Sequence, residues 1–160
     1  MFKSKFNSME VIEMAKDIEK KGLDFYQKQA KKTDNEELKK LLLKLAEDEK
    51  DHYEAFAEME KEAEQKANVN TDYVYDQEVS AYLNALIEFT VFPSDSEVED
   101  KINTIEDILD LAIKAEKDSI LFYQEMLAQN KGETAKILRK LIKEEKQHLL
   151  DLVKYDAEMA

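Results

Sequence analysis

Two four-residue stretches hold the residues that could do chemistry: Glu49-Lys50-Asp51-His52 and Glu145-Lys146-Gln147-His148. The chain has only two histidines, and each follows a glutamate by three positions. Positions i and i+3 of a helix share a face. Each stretch can therefore aim one carboxylate and one imidazole at a single point. Two such stretches facing each other, with one carboxylate from each of two more helices, build a two-metal site inside a four-helix bundle. Carboxylate oxygens and imidazole nitrogens without thiolates suit iron or manganese.

The surrounding pattern places these groups inside. Leu38, Leu42, Leu45, Glu49, His52, Phe56 and Met59 alternate steps of four and three, which is the rhythm of a buried helical seam. Leu138, Leu141, Glu145, His148 and Leu152 repeat it. A carboxylate on an apolar seam is costly unless it is paired or bound to metal. Two further glutamates interrupt apolar stripes: Glu19 among Ala15, Ile18 and Phe25, and Glu116 among Ala112, Ile120 and Phe122.

The halves of the chain are copies. His148 follows His52 by 96 positions, Glu145 follows Glu49 by 96, and Glu116 follows Glu19 by 97. Glu19 to Phe25-Tyr26 answers Glu116 to Phe122-Tyr123. The predicted layout is symmetric. Glu49 and Glu145 bridge two metals, Glu19 and His52 complete one, and Glu116 and His148 complete the other. Four carboxylates then face two cations, so the metal-free protein is expected to be less stable. Tyr26 and Tyr123 each lie two turns beyond a terminal glutamate. Their hydroxyls either bond these carboxylates or simply pack in the core. Gly22 and Ser119, one turn from a ligand, either leave room for a small oxygen species or allow close helix approach.

Four long helices must position this site, over about 8–32, 34–66, 104–130 and 133–158, in one domain spanning 1–160. Asn7 or Ser8 with Glu10, Thr33-Asp34-Asn35, and Asn103-Thr104 with Glu106 and Asp107 supply N-terminal caps. Gly132 is expected at the C′ position of the third long helix. Residues 67–103 read as a crossover, with a loop at Asn68 to Thr71, a short helix over Gln77 to Phe89, and a stop at Pro93 to Ser96. Glu88 is a candidate lid residue or spare ligand, but reads better as an exposed helix residue. The fold class is all-α: two αα-hairpins joined by a long crossover with a short helix.

Composition narrows the function. With two glycines and one proline in 160 residues, the chain is that of long helices with short connections. The absence of cysteine excludes disulfides and thiolate metal sites within it. A formal net charge of −13 disfavours nucleic acid and favours attraction of cations. No apolar run is long enough to span a bilayer, and Met1 to Ser8 lacks the apolar core of a signal peptide. A soluble cytoplasmic protein is expected, with no nucleic-acid or membrane partner.

At Glu19…Gly22…Phe25-Tyr26, Glu49-x-x-His52, Glu116…Phe122-Tyr123 and Glu145-x-x-His148, the chain resembles the ferritin-like superfamily. It is most similar to its rubrerythrin-like di-iron members, over about Ser8 to Met159. The resemblance implies a ferritin-like four-helix bundle and a non-haem centre of two iron ions. It also implies reaction with hydrogen peroxide or dioxygen, as in defence against oxidative stress. Three departures qualify it. Rubrerythrins usually carry a cysteine-ligated rubredoxin domain, so electrons here must come from a separate donor protein. Ser119 stands where rubrerythrins usually place another glutamate. Lys50 stands where bacterioferritins carry the methionine that binds haem, so no haem is expected.

Three functions compete. The first is an oxidoreductase that reduces peroxide or dioxygen. The second is a ferroxidase or iron-handling protein, although storage ferritins usually have a short fifth helix after the bundle. The third is a non-enzymatic helical module with a structural metal site, against which the full ligand set argues. A small homo-oligomer, most simply a dimer, suits the first.

Overall fold

The computed structural model describes residues 5–66, 75–90 and 102–159. Among them are five helices: α1 (Ser8–Lys32), α2 (Glu36–Lys66), α3 (Gln77–Thr90), α4 (Ile105–Gln129) and α5 (Gly132–Met159). The expected loop at Asn68 to Thr71 and the expected stop at Pro93 to Ser96 lie outside the described residues.

Local chemistry starts four of the five helices. The Asn7 side chain accepts from the Glu10 backbone N–H at 2.8 Å, and the Glu10 carboxylate accepts from the Asn7 N–H. This reciprocal pair satisfies two of the amides that a helix start leaves without partners. Thr104 and Asp107 form the same box on α4. Asn35 caps α2 by accepting from the Leu38 N–H, and Asp76 caps α3 by accepting from the Val79 N–H.

Gly132 corrects an expectation. Helix α4 ends at Gln129, with Asn130 as an extended C-cap. Gly132 is instead the first residue of α5, with φ +64. The left-handed conformation that favours glycine is used to enter α5 rather than to leave α4.

Pair distances fix the topology. Tyr26 bonds Glu116 while Tyr123 bonds Glu19, so α1 and α4 run antiparallel. Lys44 with Asp151, and Asp48 with His148, do the same for α2 and α5. Lys16 with Glu60 aligns α1 antiparallel to α2. It follows that α2 and α4 run parallel, as a full-length crossover requires. Within the crossover, α3 packs against α4. Phe6, just before α1, is tied to it: Tyr75 N–H donates to the Phe6 carbonyl at 2.8 Å, and Phe6 N–H donates to the Ser80 hydroxyl at 3.0 Å.

The core falls into two apolar clusters. One gathers Val11, Ile12, Phe56, Leu83, Phe122, Met126 and Leu138; the other gathers Phe25, Leu38, Leu42, Leu45, Leu109 and Leu152. All six predicted ligand side chains are buried. They lie, along each helix, between residues of the first cluster and residues of the second. A polar layer thus sits within an otherwise apolar bundle, where its charges are expensive unless compensated.

Candidate metal centre

The structure brings all six residues together. Ligand atoms of Glu19, Glu49, His52 and Glu145 lie within 4.8 Å of one another, and so do those of Glu49, Glu116, Glu145 and His148. Glu49 and Glu145 belong to both groups. The pseudo-symmetry of the sequence is therefore present in space, with the shared pair at its centre.

Each imidazole turns Nδ1 inward. His52 Nδ1 is 2.9 Å from Glu145 Oε1 and 3.5 Å from Glu19 Oε2. His148 Nδ1 is 3.1 Å from Glu145 Oε2, 3.4 Å from Glu49 Oε1 and 3.5 Å from Glu116 Oε1. The two rings are stacked, with centroids 5.6 Å apart.

The outward nitrogens find partners that the sequence reading missed. His52 Nε2 lies 2.7 Å from Glu144 Oε2, and His148 Nε2 lies 3.0 Å from Asp48 Oδ2. Each contact crosses between the two hairpins. With the ring neutral, a carboxylate on Nε2 keeps the proton there and leaves the Nδ1 lone pair facing inward, as a metal ligand needs. One signal could have found them: Glu144 follows Asp48 by the same 96 positions as the ligands themselves. Replacing either by its amide, Asp48→Asn or Glu144→Gln, is expected to weaken metal affinity about tenfold. Competition against a chelator measures this, and unchanged affinity would remove the pair from any role in orienting the rings.

The tyrosines bond carboxylates, but across the bundle. Tyr26 donates to Glu116 Oε1 at 2.6 Å, and Tyr123 donates to Glu19 Oε1 at 2.5 Å. Burial, followed by the nearby glutamate charges, pushes both hydroxyls well above the usual tyrosine value, so both remain donors. Ser119 does not face the site chemically: its hydroxyl donates to the Ala115 carbonyl of its own helix at 2.9 Å. Glu88 is exposed and takes no part.

Electrostatics in the metal-free protein reflect crowding. Burial raises Glu49 well above the ordinary carboxylate value, and repulsion from Glu145, Glu19 and Glu116 raises it further. Burial and the Glu145 charge raise Glu116 to about 8. Burial also acts upward on Glu19, but the neighbouring Glu49 carboxyl and His52 imidazole outweigh it and the carboxyl lies below its usual value. Burial alone would lower the histidines. Carboxylates overcome it, Glu145 then Glu19 for His52 and Glu116 then Glu145 for His148, and hold both imidazoles up at about 11.

The donor set fits divalent cations. Glu19 Oε2, Glu49 Oε1 and Glu116 Oε2 are buried and accept no hydrogen bond among the described residues. Buried acceptors are rarely left so. In Glu19 and Glu116 the tyrosine holds one oxygen, and the other is the orphan.

A helical bundle with Glu-x-x-His on two helices and a glutamate on each of the other two defines the ferritin-like di-metal carboxylate class. The sequence profile of the rubrerythrin family matches residues 10–155, and the chain belongs to that family. It is also similar to a Thermotoga maritima protein of known crystal structure, described as a candidate ferritin-like diiron-carboxylate protein. The TM-score is 0.79 and the identity 29%, over 99% of this chain and 100% of the other. No curated protein matches the chain. Family, fold and the glutamate/histidine cluster together point to iron binding. No described helix is long and apolar enough to cross a membrane.

Proposed function

We propose that this chain is a non-haem di-iron oxidoreductase that reduces hydrogen peroxide or dioxygen with electrons from a separate donor protein. The observation that carries the reading is the pair of overlapping four-residue clusters sharing Glu49 and Glu145. Glu19 and His52 on one side and Glu116 and His148 on the other would hold the two irons, together with Glu49 and Glu145, which belong to both groups. Two ferrous ions held there would supply the two electrons that reduction of an oxygen–oxygen bond takes. The protein's own part is to position and exclude. Tyr26 and Tyr123 fix one oxygen of Glu116 and of Glu19. Glu144 and Asp48 fix the rings of His52 and His148. The apolar clusters on either side limit water.

Loading the site must displace protons. Both imidazoles, held up at about 11, and Glu116, at about 8, carry protons at neutral pH, and burial shifts Glu49 in the same direction. A cation needs the deprotonated forms. Raising the pH removes this competition, so apparent affinity climbs from acid toward alkaline conditions. About three protons per metal pair, from the two imidazoles and Glu116, are expected at pH 7. A pH indicator in weak buffer follows them, and loading without proton release would contradict the assignment of ligands.

Mixing anaerobically loaded ferrous protein with peroxide, and separately with dioxygen, tests the reading. Rapid oxidation of both ions by either is expected. Ions that stay ferrous with both would end it. Iron handling is the second reading, favoured by a cavity of about 460 Å³ between α2 and α5 that reaches both histidines and is lined by Asp48, Asp51, Glu58, Glu62 and Glu144. Sizing the protein separates the two: a small oligomer favours the oxidoreductase, a large shell favours storage.

A further inference from the structure

We propose that the outer face of α5 docks an acidic electron-donor protein, an inference that rests on the oxidoreductase reading. The chain carries a net charge of −13. Even so, Lys136, Arg139, Lys143 and Lys146 are all exposed and follow one another by three and four residues along α5. That spacing puts them on one stripe. The stripe continues into Leu150 and Val153, 62% and 46% exposed. Among the described residues, none of the four cations has an ion-pair partner.

No acidic residue of α5 interrupts the stripe. Glu144, Glu145 and Asp151 point toward α2, where they meet His52 and Lys44. Glu133, Asp156 and Glu158 fall a quarter-turn or more to either side at about 100° per residue. Nor is the stripe a by-product of the internal repeat. The matching face of α2 carries Lys40, Leu43, Glu47, Lys50 and Glu54, a mixture of both signs.

The composition of the stripe selects its partner. Two copies of the chain related by a two-fold axis through this face would set four cations against four, which opposes self-association there. A duplex or an anionic bilayer would extend past the stripe and meet the acidic remainder of the surface. A compact acidic protein touches only the stripe, and exposed leucine and valine beside the cations suit a protein interface with an apolar centre and a charged rim. Position agrees as well. Glu145 and His148 lie on the opposite side of α5, so a seated donor is about one helix diameter, ~10–12 Å, from the metal centre. Reducing one peroxide to two waters consumes two electrons and two protons. The donor is oxidised by two electrons in one or more encounters, and solvent supplies the protons.

The test uses the iron-loaded full chain, its charge-reversed variant K136E/R139E/K143E/K146E, and the charge-preserving variant K136R/R139K/K143R/K146R. The probe is reduced flavodoxin, a small acidic FMN protein. Peroxide turnover driven by the probe at low salt is expected to fall tenfold or more on charge reversal, since steering of this kind is worth about 10–10³ in rate. The charge-preserving variant should match the native chain. Turnover driven by a small neutral reductant should be the same in all three. Equal probe-driven rates in the native and charge-reversed chains would overturn the proposal. So would capture of phosphatidylglycerol vesicles or duplex DNA by the native chain that charge reversal abolishes. If no form turns over peroxide or dioxygen with the small reductant, the oxidoreductase reading has failed by itself. Titration of the oxidised probe against the native and charge-reversed chains then decides the docking surface separately, with equal or absent binding counting against it.

Discussion

His52→Ala is expected to hold at most one iron ion per chain and to reduce peroxide more than about a hundredfold more slowly than the native protein. The lower bound follows from partners of ligands, whose loss alone costs about 10–100-fold in affinity or activity. His52 is itself a predicted ligand, and its Nδ1 is the only nitrogen in its cluster of four. Alanine removes it and leaves Glu144 without the ring that its carboxylate holds at 2.7 Å. A second effect must be separated from the first. In the metal-free protein the raised His52 is the cation facing Glu145 and Glu19, and taking one partner from a buried pair costs about 3–5 kcal/mol. Helical circular dichroism before loading distinguishes a folded variant without metal from an unfolded one. A folded His52→Ala chain with two ions and full activity would remove His52 from the site. His148→Ala should behave alike, because the two halves place their imidazoles equivalently.

Stripping the metal is expected to lower stability by about 4 kcal/mol for each site that had been in thousandfold excess of its dissociation constant. For a chain of this size, 4 kcal/mol corresponds to roughly 8–16 °C in Tm. The reason lies in the layer of buried carboxylates. Without cations, Glu49 and Glu116 remain ionised only against burial and mutual repulsion, and they bind protons instead. Glu19 Oε2 and Glu116 Oε2 keep no hydrogen bond among the described residues. Calorimetry of matched metal-free and iron-loaded samples measures the difference. An unchanged Tm at saturating iron would mean that the cations do not bind the folded state preferentially.

Much of the centre was legible in the sequence because it breaks a local rule. Glu49, His52, Glu145 and His148 fall on apolar seams where such groups are otherwise costly, and the repeat separated them from the many glutamates on the surface. Glu19 and Glu116 were weaker on their own and gained force from their 97-residue offset. Asp48 and Glu144 were not legible in the same way. Their side chains are 38% and 42% exposed, and in so acidic a chain such residues look like solvated surface. What distinguishes them is a contact across hairpins that helical periodicity does not encode.

The tyrosines illustrate the same limit. Spacing placed Tyr26 two turns beyond Glu19 on its own helix, yet it bonds Glu116, and Tyr123 bonds Glu19. An antiparallel α1/α4 pair brings each tyrosine level with the other half's glutamate, and that depends on the packing partner. The tie between Phe6 and Tyr75 was also invisible, since it is made by backbone groups far apart in the chain. The helices themselves were readable to within a residue or two because caps and apolar stripes agreed. Gly132 misled because glycine with a left-handed φ serves the start of α5 here as well as it would serve a helix end.

Metal analysis of the protein purified from its own source tests the central claim most directly. Two iron ions per chain are expected, falling to one or none in His52→Ala. No bound metal, one ion per chain, or two ions that survive the loss of both histidines would contradict a shared centre built from Glu19, Glu49, His52, Glu116, Glu145 and His148.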